Sequence, residues 1–162
     1  MDTHTYNLSL TWKEGRIGEM SSPELPSKIE VATPPEFEKG VAGIWSPEHL
    51  YTASVLSCFM TTFLAIAEYS KLEFSSFDCS AVGVLAKKDG KYSMTEITLK
   101  PVLVIDDETK RDRALRILDK AEAACLISNS IKTIVKLDPT VQVSVLAWYE
   151  HQFSKFDLAG PT

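Results

Sequence analysis

Residues 46–63 read Ser-Pro-Glu-His-Leu-Tyr-Thr-Ala-Ser-Val-Leu-Ser-Cys-Phe-Met-Thr-Thr-Phe, and they begin the helix around which the rest of the fold is arranged. Ser46 is suited to cap it, Pro47 to the first helical position, and Glu48 to the positive end of the helix dipole. From Leu50 to Ala67 no charge interrupts, so the helix is expected to continue to about Ser70 or Lys71. An uncharged run of 18 residues is long enough that a membrane span must be weighed. Thr52, Ser54, Ser57, Thr61 and Thr62 lie within it, Glu48 and Glu68 close its ends, and no Lys or Arg is near its start. Those features favour the buried central helix of a soluble protein.

Working outward, Tyr6 to Trp12 alternates polar and apolar residues, as a half-buried strand does. Lys13-Glu14-Gly15 supplies a turn, and Arg16 to Ser21 returns as a second strand with Arg16 beside that turn. Pro23 and Pro26 interrupt before Lys28 to Thr33, a short third strand, and Thr33 to Trp45 reads as an irregular loop with Pro34-Pro35, Gly40 and Gly43. Downstream, Phe74 to Lys88 and Lys91 to Ile105 flank Asp89-Gly90, a pair that favours the two-residue type I′ hairpin turn. That turn predicts Lys88 opposite Lys91, Val84 opposite Thr95 and Val82 opposite Ile97. It also predicts Cys79 on the other face, among Glu96, Thr98 and Lys100.

Glu108 to Ala124 has helical spacing, with Ala114, Ile117 or Leu118, Ala121 and Cys125 forming its apolar stripe and Arg113, Arg116, Asp119 and Lys120 its polar surface. Val141 to Trp148 closes the domain as a strand. The order βββ-α-ββ-α-β defines an α+β fold with a single domain over residues 1–150. Residues 151–162 form a patternless tail that is expected to be poorly ordered.

Composition bounds the chemistry. The chain has 162 residues, 44% apolar and 24% charged, which is ordinary for a globular protein and excludes a disordered or collagen-like chain. The 22 acidic and 17 basic residues give a net charge of −5, without the basic field that nucleic-acid binding needs. Cys58, Cys79 and Cys125 are too few and too scattered for a secreted disulfide framework, and no C-x-x-C pair suggests zinc. His4, His49 and His151 are scattered too, so no metal site and no bound cofactor is expected. No basic region followed by an apolar run opens the chain, which together with the reduced thiols suggests a cytoplasmic protein.

Cys58 and Cys125 both lie on apolar helix faces, where a free cysteine can simply pack as a small hydrophobe. If the two helices cross, the thiols can instead approach and oxidise. Reactivity needs a thiolate, and burial opposes it, so a cation must be near. Arg16 is the candidate, although as a turn residue it can equally be solvated; Glu48 can equally be an ordinary first-turn acid.

Three segments carry a resemblance. Gly43-Ile44-Trp45-Ser46-Pro47-Glu48-His49-Leu50, running on to Ser57-Cys58-Phe59, resembles the Pro-Glu-x-Leu…Ser-Cys helix of the OsmC/Ohr family of osmotically inducible and organic-hydroperoxide-resistance proteins. Ala124-Cys125-Leu126-Ile127-Ser128-Asn129-Ser130 is similar to that family's second cysteine motif, and Gly15-Arg16-Ile17-Gly18 to its N-terminal turn. The motifs stand in the family's order and span roughly Tyr6 to Trp148. Leu126 stands where many relatives carry proline, which leaves the subfamily open.

The resemblance implies a peroxidase acting on organic hydroperoxides, with Cys58 as peroxidatic and Cys125 as resolving cysteine. It also implies that Arg16 stabilises the thiolate and Glu48 orients Arg16. Cys79 matches no family position. The implied reductant is an external dithiol, in some members a lipoyl group, and the implied assembly is an intertwined homodimer with its long central helices between sheets. Leu56, Phe59, Met60 and Phe63 beside Cys58 favour an organic peroxide over hydrogen peroxide. Glu48 and Cys58 lie ten positions apart, about 15 Å along a helix axis, so a Glu48–Arg16 pair acting on Cys58 fits best if a second copy supplies it. The competing readings are a non-catalytic module for a small hydrophobic ligand and a redox sensor.

Overall fold

The structure, a computed structural model, describes residues 2–144. The chain divides into two compact units, with the boundary between Tyr51 and Thr52.

In the first unit three strands, β1 (Ser9–Glu14), β2 (Ile17–Ser22) and β3 (Leu25–Ala32), form an antiparallel sheet in sequential order. Gly15, at φ 50°, makes the turn between β1 and β2. β3 begins three residues earlier than expected, because Pro26 lies on an edge strand beside an irregularity in the pairing between Met20 and Ser22. The loop after β3 folds back on it: the Ala32 N–H donates to Trp45 O at 2.8 Å and the Val41 N–H to Thr33 O at 2.9 Å. This delivers Ser46, 1% exposed, to the helix start, where its Oγ accepts the His49 N–H at 3.2 Å.

The helix α1 spans Pro47–Tyr69. In the second unit, Val55, Phe59, Phe63 and Ala67 recur every fourth position and are buried. Phe63 stacks on Phe77 with centroids 4.5 Å apart and also meets Phe74 at 5.5 Å, while Phe59 lies 6.2 Å from Phe77. Within one chain a single stripe is covered, and Met60 and Leu64 are about two-fifths exposed. Among the described residues α1 is the helix long and apolar enough to cross a membrane.

The Phe stripe packs on a hairpin of β4 (Ser76–Lys88) and β5 (Lys91–Ile105), which turns through Asp89 at φ 50° and Gly90 at φ 78°. Lys88 pairs with Lys91 as expected, but a bulge between Val84 and Leu85 makes Thr95 an extra residue. Beyond it the register is displaced by one position: Val84 faces Glu96 and Val82 faces Thr98. A one-residue slip reverses which face each side chain takes. Cys79 therefore lies opposite Pro101, on the face of buried Ile97, Leu99 and Leu103, and not among Glu96, Thr98 and Lys100. Gly83 lies so close to α1 that a Cβ there would stand 2.3 Å from Thr52 Oγ1.

After β5, a single 3-10 turn (Glu108–Lys110), capped by Asp107, leads into α2 (Arg111–Ala124), so the regular helix starts three residues later than expected. Ala114, Ile117, Leu118 and Ala121 bury its inner stripe, and Arg113 donates to the Ser70 carbonyl after α1. The chain then returns beside β5, parallel to it, as β6 (Ile134–Leu137) and β7 (Thr140–Val143). β6 is an additional strand. Pro139 separates the two because it has no N–H to offer the ladder. The closing strand expected over Val141 to Trp148 is seen as far as Val143, residues 145–148 and the tail 151–162 lying outside the described residues. The architecture is mixed α+β, with two sheets and two helices.

Candidate thiol site

Cys58 lies half-buried on α1, between the covered stripe and the open face, and Cys125 follows α2 as its C-terminal cap, fully buried. The spacing of the apolar stripe on α2 brings Cys125 to the inner side, and the two thiols, remote in sequence, come close enough to influence each other's ionisation. Both are free.

Their environments differ. Burial pushes the Cys58 thiol up, but the Ile127 N–H, the Cys125 thiol, the Thr62 hydroxyl and the Leu126 N–H all favour its anion, and together they hold it below the ordinary thiol value. Thr62 Oγ1, one helical turn on, lies 4.0 Å from the sulfur. Burial also pushes Cys125 up. The Ser128 hydroxyl and N–H oppose this, the adjacent Cys58 adds to it, and the net direction is upward. Ser128 Oγ is buried without a conventional oxygen or nitrogen partner among the described residues, and the sulfur is what it faces. Cys58 is therefore the thiol that ionises first, with protonated Cys125 beside it as a donor.

A short turn carries these amides. Asn129 Nδ2 donates to Ala123 O at 2.9 Å and Cys125 O at 3.0 Å, and the Asn129 N–H also reaches Cys125 O at 3.0 Å. Ser130 Oγ donates to Leu126 O at 2.7 Å. Phe59 and Phe63, expected as neighbours of the peroxide, instead turn inward onto Phe74 and Phe77, leaving Leu56 and Met60 on the more open side.

Arg16 and Glu48 belong to the first unit. Arg16 is exposed at the β1–β2 turn and lines an open cavity of about 290 Å³ with Leu10, Trp12, Val31 and Pro47. Its guanidinium takes part in none of the ion pairs among the described residues. Glu48 is in the first turn of α1, with Oε2 shielded from solvent. His49 Nδ1 lies 2.7 Å from Ser46 Oγ, a helix-start contact. Among the described residues no three His, Cys, Asp or Glu side chains gather as a metal site. Cys79 is a third case: burial pushes its thiol up to about 11, opposed by a backbone contact with Lys100.

Thr62, Ser128, Asn129 and the amides of Leu126 and Ile127 did not stand out in the sequence. Thr62 was findable, since it stands four positions after Cys58 on the same helix face. Backbone amides have no sequence signature.

Comparison with known proteins bears on the family and the fold. The sequence pattern of OsmC-like proteins matches residues 40–140. The uncharacterized protein YmaD of Bacillus subtilis is 25% identical over 150 residues, covering 90% of this chain and 98% of YmaD. A solved OsmC-like protein of unknown function from Vibrio cholerae superposes with a TM-score of 0.75 at 25% identity, over 85% of this chain and 99% of that one. An organic hydroperoxide resistance protein from Elizabethkingia anophelis shares the fold, with a TM-score of 0.70 at 20% identity, over 88% of this chain and 99% of that one. With the family pattern matched over more than half its length, the chain belongs to the family of OsmC-like proteins.

Proposed function

We propose that this protein is a cysteine peroxidase that reduces organic hydroperoxides to alcohols. The observation that carries the reading is the pairing of a half-buried thiol held below its ordinary pKa with a buried thiol held above it, each close enough to affect the other's ionisation. A nucleophile that ionises readily and a neighbour that stays protonated are what a two-cysteine peroxidase requires. The structural likeness to an organic hydroperoxide resistance protein adds to it.

In this mechanism the Cys58 thiolate attacks one peroxide oxygen of R-O-O-H. The O–O bond breaks, the alkoxide takes a proton to leave as R-OH, and Cys58 becomes a sulfenic acid. The Cys125 thiol then attacks that sulfur and expels water, leaving a Cys58–Cys125 disulfide. An external dithiol, for which a lipoyl group is a candidate, regenerates both thiols by exchange and is itself oxidised to a disulfide.

Arg16, held by Glu48, supplies positive charge to the thiolate and to the departing oxygen. A second copy of the chain delivers it in a homodimer with two sites. Two features support this: Glu48 lies three helical turns before Cys58 on α1, and the open side of α1, with Met60 and Leu64, is uncovered within one chain. The open apolar side also favours an organic substrate, and the reliance on free thiols suits a reducing cytoplasm.

The test is consumption of cumene hydroperoxide and of hydrogen peroxide, with dithiothreitol or a dihydrolipoyl donor, beside Cys58→Ser and Arg16→Ala. The expected result is faster loss of cumene hydroperoxide that vanishes in Cys58→Ser and is much reduced in Arg16→Ala. Equal rates for wild type and Cys58→Ser overturn the proposal.

A further inference from the structure

Ser57, Thr61 and Thr62 carry hydroxyls around Cys58 on α1, and the first two are spent on the helix itself. Ser57 Oγ donates to Ser54 O at 3.2 Å and Thr61 Oγ1 to Cys58 O at 3.1 Å, the local back-bonding that such side chains make in helices. Thr62 differs. One turn after Cys58 on the same face, its Oγ1 lies 4.0 Å from Cys58 Sγ. Both residues are half-buried, at the border between the covered stripe of Phe59 and Phe63 and the open side of Met60 and Leu64. A hydroxyl carries one donor and two acceptor lone pairs. While Cys58 is a thiol either atom can donate. A thiolate has no hydrogen, so once the sulfur ionises the contact is made by the Thr62 O–H. The lone pairs of the same oxygen are then left beside the nucleophile, available to a second donor.

We propose that Thr62 is a catalytic residue that holds both reactants: its O–H donates to the Cys58 thiolate, and its oxygen accepts the O–H of the incoming hydroperoxide. The peroxide half rests on the peroxidase reading, but the contact with the sulfur does not. The sulfur must meet the hydroxyl-bearing oxygen along the O–O axis, and an acceptor fixed one helical turn from the nucleophile orients that oxygen for attack. In this step a sulfur lone pair forms the S–O bond, the O–O bond breaks, and its electron pair leaves on the alkoxide. The peroxide hydrogen stays on the transferred oxygen as the sulfenic O–H, and the alkoxide takes up the proton that Cys58 released on ionising. Thr62 stays neutral throughout. The titratable group facing this sulfur in the second unit is the Cys125 thiol, and in the proposed homodimer Arg16 joins it.

The test uses the full-length reduced protein with Thr62→Val, which keeps the shape and loses the hydroxyl, and Thr62→Ser, which keeps the hydroxyl. The first readout is the pH dependence of iodoacetamide alkylation at Cys58, mapped by peptide mass spectrometry. Thr62→Val is expected to raise the midpoint by about half a pH unit, about threefold in thiolate at neutral pH, and Thr62→Ser to leave it near wild type. The second is the rate of the first turnover with cumene hydroperoxide at a pH above every midpoint, where ionisation no longer distinguishes the variants. There Thr62→Val should be about tenfold slower and Thr62→Ser close to wild type. Alkylation at that same pH should not slow in Thr62→Val, because iodoacetamide presents no O–H on the atom attacked. Thr62→Ala, a better helix former that also lacks the hydroxyl, should repeat the Thr62→Val result and serves if that variant does not fold. Equal losses in Thr62→Val and Thr62→Ser, or a folded hydroxyl-free variant as fast with the peroxide as wild type, overturn the proposal. A wild-type protein that is alkylated but does not consume hydroperoxide refutes the peroxidase reading, and the midpoints alone then decide whether the hydroxyl holds the sulfur.

Discussion

Cys58 and Cys79 are both half-buried thiols in the same unit, yet they are displaced in opposite directions. Burial acts on each in the same sense, against the charged form. Around Cys58 two backbone amides, a thiol and a hydroxyl outweigh it, whereas at Cys79, on the face of Pro101, Leu99 and Leu103, one backbone contact with Lys100 opposes it, and the thiol itself donates to Ser80 O. Exposure alone therefore does not identify a reactive cysteine. The number of donors aimed at the sulfur does.

The largest effect expected from this contrast is on turnover: Cys58→Ser should reduce hydroperoxide consumption to the uncatalysed rate, while Cys79→Ser leaves it unchanged. Equal losses in both would erase the distinction. Next, Cys125→Ser should allow the first turnover and then accumulate sulfinic acid at Cys58, read by mass spectrometry, since nothing nearby traps the sulfenic acid. Phe63→Ala, which removes a ring stacked under the helix that carries Cys58, should cost about 3–5 kcal/mol of stability in denaturant unfolding. Met60→Ala, on the open side of the same helix, should cost under about 0.5 kcal/mol in an isolated chain. A larger loss at position 60 would show that this side is covered in solution.

A smaller difference concerns rates. At neutral pH Cys58 should be alkylated about ten times faster than Cys79 or more, because its larger thiolate fraction outweighs its lower intrinsic nucleophilicity. The smallest effect is on stability against pH. Between the ordinary thiol value of 9.0 and about 11, Cys79 stays protonated when folded and ionises when unfolded. The unfolded state then binds fewer protons, so stability should fall as pH rises through that window. Cys79→Ser should flatten that slope.

Much of this was legible in the chain itself. Asp89-Gly90 announced the hairpin because both residues tolerate the positive φ that the turn needs, and Ser46-Pro47-Glu48 announced α1. The spacing from Ala114 to Cys125 placed the second thiol on a buried face. The bulge at Thr95 was not legible, since an extra residue in a strand of alternating side chains looks like any other, and it moved Cys79 to the opposite face. β6 is short and ends before Pro139, too brief for a periodic signal. Two donors at the candidate site are amides, identical at nearly every position, and only coordinates distinguish those that point at a sulfur.

Gly83 shows how far this dependence reaches. Because its α-carbon bears only hydrogens, Thr52 can rest against the hairpin. An added methyl group there would act as a wedge under a stiff rod, lifting α1 and with it the sulfur six residues further along. The seating of the helix that carries the thiol thus depends in part on the smallest residue of a neighbouring strand.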